Sequence, residues 1–229
     1  MRKAVVLLSG GIDSTVTAHY AKKREKFDIY PVTYVYAQRH KTEIEMAKRQ
    51  AETLGVKKHL IFSLQDFKRI GGSALIDEGT DIPIERDVRD ITAVGIPITY
   101  VPARNIVFLS IALAYAESLE AFDIFIGVNA IDYSGYPDCR PEFIARFEAM
   151  ANIGTKAGVE NKGRFCIHTP LVDLRKREII RLGASLGVDF SLTWSCYNPQ
   201  EGGKPCRVCD SCLLRKKGFS EAGIKDPLD

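Results

Sequence analysis

The sequence predicts an α/β fold in which a parallel sheet is flanked by helices, and three observations lead there. Short β-rich runs alternate with helix-like segments along most of the chain, which is the pattern of a parallel sheet with helical crossovers. The first apolar run ends in a Ser-Gly-Gly turn that feeds a helix. The length, 229 residues, suits one such domain with a small appendage.

The elements follow in order. Strands are expected at residues 4–8, 29–36, 59–63, 123–128 and 164–168. Between them, Ile44, Ala47, Ala51 and Leu54 recur at helical spacing, as do Ile106, Leu109, Leu113 and Ala116. Phe143, Ile144, Phe147 and Met150 line a third helix, and Ile179, Leu182 and Leu186 a fourth; each stripe is read as core packing. Residues 64–102 break the alternation with Gly71-Gly72, Pro83 and Pro97. So long a connection is read either as an active-site lid or as a surface insertion. The expected division is residues 1–193 for nucleotide and substrate, with 64–102 as the lid insertion, and 194–229 as a four-cysteine tail.

The formal net charge is +3, with both signs mixed along the chain, which gives little support to a nucleic-acid or membrane-surface partner. Neither a signal-peptide h-region nor an apolar stretch long enough to cross a bilayer is present. A cytoplasmic location is therefore expected, where the six cysteines are read as thiols or metal ligands.

The turn comprises Leu8, Ser9, Gly10, Gly11, Ile12, Asp13, Ser14 and Thr15. A strand, a Gly-Gly turn and a helix start aim free backbone N–H groups and a helix dipole at one point, which suits an anion. The hydroxyls of Ser9, Ser14 and Thr15 are further donors. The turn is too short for G-x-x-x-x-G-K-[ST] and does not fit G-x-G-x-x-G. S-G-G-x-D-S instead resembles the pyrophosphate loop of the ATP-pyrophosphatase superfamily. That likeness implies ATP cleaved between the α- and β-phosphates, with Asp13 helping to position Mg²⁺, on a Rossmann-like (adenine nucleotide alpha hydrolase-like) fold.

Cys196, Cys206, Cys209 and Cys212 form C-x₉-C-x₂-C-x₂-C. On one straight helix Cys206 and Cys212 would stand about 9 Å apart along the axis, so the chain must turn to bring them to a single ion. Gly202, Gly203 and Pro205 supply the turn, and Cys212 is expected to open the helix beyond it. Four thiolates with no open position make a structural Zn²⁺ site, one per chain, the favoured reading over an iron–sulfur cluster. Cys166 is expected to be a small buried hydrophobe.

The segment after the fourth strand offers Asp132, Tyr133, Ser134, Tyr136, Asp138, Cys139 and Arg140. Such a mixture suits a flat, hydrogen-bonding heterocycle that carries a carboxylate. S-G-Y-P-D-C-R at 134–140, Q-R-H at 38–40, V-P-A-R-N at 101–105, T-P-L at 169–171 with Lys176 and Glu178 beyond, and the cysteine tail occur in this order. In that combination the sequence resembles the 7-cyano-7-deazaguanine synthase family from the first strand almost to the end. Tyr36-Ala37 stands where the family would have Tyr-Gly.

The resemblance implies a carbon–nitrogen ligase that turns 7-carboxy-7-deazaguanine and ammonia into the nitrile at the expense of ATP, in queuosine or archaeosine biosynthesis. Ser9, Gly10, Gly11, Asp13 and Ser14 would hold pyrophosphate and its metal. Arg104 and Lys176 would neutralise charge on the phosphates, although Lys176 with Glu178 also reads as a solvated helix pair. Arg39, His40, Asp132, Ser134, Tyr136, Asp138 and Arg140 are assigned to the substrate. A homodimer is implied by the family alone. The rival reading, a zinc-ribbon nucleic-acid module contacting through Arg215, Lys216 and Lys217, has few aromatics and a modest basic cluster behind it, so no direct nucleic-acid contact is expected.

Overall fold

The structure, a computed structural model, describes residues 1–36, 42–77, 79–93, 95–131 and 135–229. Five strands, β1 (Lys3–Leu7), β2 (Asp28–Val35), β3 (Leu60–Ser63), β4 (Asp123–Phe125) and β5 (Cys166–His168), form one parallel sheet in the order β3-β2-β1-β4-β5. The order reverses between β1 and β4. In an open α/β sheet the crevice beyond the carboxyl ends at that reversal is where ligands bind.

The central strands are apolar on both faces because helices cover both. Val5 and Leu7 of β1 join the core beneath α4 (Arg104–Ser118) and α5 (Pro141–Gly154). Ala4, Val6 and Leu8 face the opposite core, which is closed by α1 (Ile12–His19) and α2 (Thr42–Thr53). The β4 and β5 ladders are shorter than the apolar runs that predict them. Ile126 and Val128 nevertheless stay in the core, and the Ile126 N–H still donates to the His168 carbonyl at 3.0 Å.

The stripe on α2 is buried as expected. On α4 the buried face is Phe108, Leu109, Ala112, Leu113 and Ala116, whereas Ile106 is 43% exposed. Ile106 lies in the first turn of the helix, and its side chain joins none of the apolar clusters among the described residues. Met150 likewise turns outward, and Cys166 is half-buried because β5 is an edge strand.

Residues 64–102 carry a 3₁₀ turn (Gln65–Arg69), the helix α3 (Val88–Ala93) and a small apolar cluster of Phe67, Leu75, Ile76 and Val101. This segment is tied to the cysteine tail: Ile84 bridges Cys209, the Glu85 N–H donates to the Val208 carbonyl at 2.9 Å, and Arg86 pairs with Asp210. After a single turn, α6 (Lys156–Val159), the chain reaches β5 and then α7 (Lys176–Ser185). The last helix, α8 (Asp210–Ala222), starts two residues before Cys212 and packs on α7. The two approach so closely that a Cβ on Gly218 would stand 2.4 Å from the Lys176 side chain.

Candidate active site

A cavity of about 290 Å³ opens beyond the carboxyl ends of β1 and β4. Its floor is the Ser-Gly-Gly turn. Gly10 takes φ +86°, and a Cβ there would lie 2.2 Å from the Glu43 carbonyl oxygen at the start of α2. Only glycine fits both the left-handed backbone and the close approach. Gly11 then caps α1 with extended backbone. Ser9 and Ser14 brace the turn, their hydroxyls 2.9 Å apart, and Ser14 Oγ also accepts from the Ser9 N–H and donates to the Gly11 carbonyl. Across the reversal, Gly127 lets the end of β4 come within 2.9 Å of the Asp13 and Ser14 backbone, measured from the Cβ that glycine lacks.

Three charged side chains converge there. Lys176, at the start of α7, donates to both oxygens of Asp13 at 2.6 and 2.7 Å. Glu178 instead accepts from the Arg175 N–H at 2.7 Å, so it caps its own helix, and Lys176 reaches the cavity. Arg104, at the start of α4, donates to the Tyr36 hydroxyl at 3.2 Å. It keeps its proton above the usual guanidinium range: burial works against the charge, but Tyr36, Tyr136, Tyr197 and Cys139 more than offset it.

Glu43 lines the same cavity, and burial pushes its carboxyl up to about 7 against the opposing pull of Arg104. Burial and the neighbouring Asp138 raise the Cys139 thiol to about 12.

Of the residues that the sequence nominates, Leu8, Ser9, Gly11, Ile12, Asp13, Ser14, Arg104, Tyr136 and Lys176 line this cavity. Gly10 shapes it from behind. Thr15 does not line it, because its hydroxyl is fully buried in the first turn of α1. Asp138 and Arg140 are also absent from the wall. The Asp138 carboxylate accepts from the Asn105 N–H at 2.9 Å and so caps α4, while Arg140 is the exposed N-cap of α5. Arg39, His40, Asp132 and Ser134 lie outside the described residues.

Tyr36, Glu43, Asn105, Trp194, Ser195 and Tyr197 complete much of the wall without having been nominated for it, and Cys139, which the sequence offers beside Tyr136, joins them. Their signal is weak in sequence, because they reach the cavity from the end of β2, α2, α4, the turn before α5 and the segment at 194–197, which are far apart in the chain.

The four tail cysteines are buried, and their sulfurs lie within 4.8 Å of one another. A tetrahedral M²⁺–S₄ centre has sulfurs about 3.8 Å apart for bonds of about 2.3 Å, so the cluster closes onto a metal with little movement. The Cys206 N–H points at Cys196 Sγ (3.2 Å) and the Cys209 N–H at Cys206 Sγ (3.3 Å). Contact with Cys196 and Cys212 stabilises the Cys209 thiolate, while the same crowding raises Cys196. Four thiols so placed cannot all ionise without a cation among them.

The cluster also bears on the cavity, since the Trp194 N–H donates to the Gly10 carbonyl at 2.9 Å and Trp194 Nε1 to the Cys196 carbonyl at 2.9 Å. Arg215 is buried, paired at 2.7 Å with Asp226 and bonded to Thr193 and Phe190. That removes it from the nucleic-acid surface which the rival reading requires.

A parallel β3-β2-β1-β4-β5 sheet with a Ser-Gly-Gly turn at its reversal is the fold of the pyrophosphate-loop ATP-pyrophosphatases. NMN synthetase from Francisella tularensis shares that fold, with a TM-score of 0.51 at 17% identity over 97% of this chain and 77% of that one. The chain belongs to the family described as Queuosine biosynthesis protein QueC, whose pattern matches residues 3–223. It is similar to the 7-cyano-7-deazaguanine synthase of Geobacter metallireducens, 58% identical over 99% of this chain and 92% of the relative. The synthase of the same name from Geotalea uraniireducens is 57% identical over 99% and 96%.

Proposed function

We propose that this protein is a 7-cyano-7-deazaguanine synthase, a carbon–nitrogen ligase that converts 7-carboxy-7-deazaguanine and ammonia into the nitrile with two molecules of ATP, on the route to queuosine or archaeosine. The observation that carries it is the convergence, in one cavity, of the pyrophosphate turn, the Asp13–Lys176 pair and Arg104. Family membership gives that convergence its substrate.

A carboxylate resists ammonia because its leaving group would be oxide. Attack of a carboxylate oxygen on the α-phosphorus releases pyrophosphate and leaves an acyl adenylate, so that AMP becomes the leaving group. Ammonia then forms the amide. A second adenylation on the amide oxygen, followed by loss of AMP, leaves the nitrile.

In this reading the amides and hydroxyls of Ser9 to Ser14 hold the departing pyrophosphate. Lys176 and Arg104 balance the charge that moves onto it. Asp13 supplies an oxygen ligand for Mg²⁺, which screens the phosphates when bound. Lys176 meanwhile holds that carboxylate in orientation through both of its oxygens. Tyr136 faces the deazaguanine, with Arg39, His40, Asp132 and Ser134 as further contacts. Asp138 acts by fixing the start of α4, and Arg140 by starting α5.

Cys196, Cys206, Cys209 and Cys212 hold a structural Zn²⁺. Residues 1–193 and 194–229 act as catalytic body and metal-bound tail, and 64–102 as the cover joining them. We place the enzyme in the cytoplasm as a homodimer, with no membrane or nucleic-acid partner required. No described helix is long and apolar enough to cross a membrane.

Incubation with 7-carboxy-7-deazaguanine, ammonium and Mg-ATP, followed by mass spectrometry, should give the nitrile and AMP. ADP and orthophosphate as the only nucleotide products would overturn the assignment.

A further inference from the structure

Making a nitrile from ammonia requires nitrogen to give up its protons inside the cavity. After ammonia adds to the acyl adenylate, one N–H proton must leave as the C–O bond to AMP breaks. After the second adenylation, the O-adenylated amide must lose one proton to become an imidate. It loses another as AMP departs and the C≡N bond closes. Each lost proton needs an acceptor.

We propose that Glu43 is that acceptor, a catalytic base for the nitrogen nucleophile; the assignment rests on the reaction proposed above and adds a residue to it. Glu43 sits in the first turn of α2 with its backbone carbonyl against Gly10, it lines the cavity that holds Asp13 and Arg104, and its carboxyl is near enough to Arg104 to feel the guanidinium charge. The other described candidates on that wall are occupied or unsuited. Asp13 is held by Lys176 through both oxygens. Cys139 stays a protonated thiol, and a buried Tyr36 or Tyr136 phenol cannot accept a proton.

The groups that bear on Glu43 are few. Arg104 reaches it from α4 and favours its carboxylate, while Tyr36 reaches it from the end of β2. Asp13 and Lys176 neutralise each other across the cavity, and the tail contributes Trp194 and Tyr197 to the same wall. Arg39 and His40, just ahead of α2, lie outside the described residues. Burial lifts the Glu43 carboxyl to about 7, and a base is most effective when its pKa lies near the working pH.

In the first half-reaction the Glu43 carboxylate takes one N–H proton as the amide forms, and the carboxylic acid returns it to water. In the second half-reaction it takes the imidate proton, is reset by solvent, and takes the last proton as AMP leaves. Nothing is oxidised or reduced.

The test compares wild type, Glu43→Gln and Glu43→Asp in two assays: acid-dependent exchange of labelled pyrophosphate into ATP without ammonia, and nitrile formation with ammonium. Glu43→Gln should lose about 100-fold or more of nitrile formation, while exchange falls less than tenfold. Glu43→Asp should recover part of the loss. At constant free ammonia, wild-type nitrile formation should fall as the pH drops through about 7, and Glu43→Gln should lack that limb.

Equal losses in both assays, or an unchanged nitrile rate, would overturn the role of Glu43. If Glu43→Gln unfolds on thermal melting, Glu43→Asp decides by the same split. Absence of acid-dependent exchange in the wild type would instead overturn the synthase reading itself.

Discussion

At the scale of single residues, the two glycines of the turn do different work. Gly11 has ordinary extended backbone, but Gly10 combines a positive φ with a carbonyl oxygen 2.2 Å from where a Cβ would be. Gly10→Ala must therefore push α2 away from the floor of the cavity. We expect it to cost about 1–3 kcal/mol in chemical denaturation and to lower nitrile formation further than Gly11→Ala does. Cys139 gives a second expectation. Burial and Asp138 raise its thiol to about 12, and the thiolate is the reactive form. At pH 8, iodoacetamide should leave Cys139 unmodified in the native protein and label it after denaturation, read by peptide mass spectrometry.

At the scale of elements, the tail and the cavity form one mechanical unit. The sole tryptophan, Trp194, bonds through its backbone to Gly10 and through its ring to Cys196. Losing the metal proposed for the cluster should loosen the ring and the floor of the cavity together. Cys209→Ser, or a strong chelator, should shift Trp194 fluorescence to the red, lower Tm and reduce nitrile formation in parallel. A fluorescence change with full activity would separate the two. The buried Arg215–Asp226 pair ties α8 and the last residues to the 190–193 turn. Breaking one partner of such a pair costs about 3–5 kcal/mol, so Asp226→Asn should lower the urea midpoint strongly, whereas Glu221→Gln at the exposed Lys217 pair should not.

Elements also show which part of the molecule the sequence discloses. The pyrophosphate turn and the cysteine spacing are contiguous in the chain, so their chemistry can be read from neighbouring letters. Five strands follow from short β-rich runs, and the α2 stripe from helical spacing, for the same local reason. Asp138 reads as a substrate contact because its neighbours are polar; its capping of α4 depends on Asn105, which is 33 residues away. Ile106 reads as core because helical spacing carries no information about which turns of a helix find apolar neighbours. Glu43 is a surface acid by pattern, and only the approach of Gly10, together with Arg104 from α4, makes it part of a cavity.

At the scale of the whole molecule, acid should destabilise the protein by a route separate from the cysteine cluster. His19 is buried in α1, with Nε2 at 3.3 Å from Gln50 Oε1, and Gln50 in turn donates to the Asp189 and Leu192 carbonyls. Burial, reinforced by Lys23, lowers the His19 pKa, and burial with Lys48 does the same for His59. In the unfolded chain both histidines take up protons as the pH falls through about 6.5, whereas in the folded chain they remain neutral until lower pH. The unfolded state therefore binds more protons in that window, and stability falls as the pH falls. Acid would also protonate the thiolates of the proposed metal site, which lowers stability in the same direction. Substitution separates the two routes. Urea midpoints at pH 7.5, 6.5 and 5.5 should decline less steeply in His19→Asn than in wild type, while the metal content of the two proteins stays equal at each pH. Equal slopes would leave the acid response to His59 and the cysteine cluster and remove His19 from it.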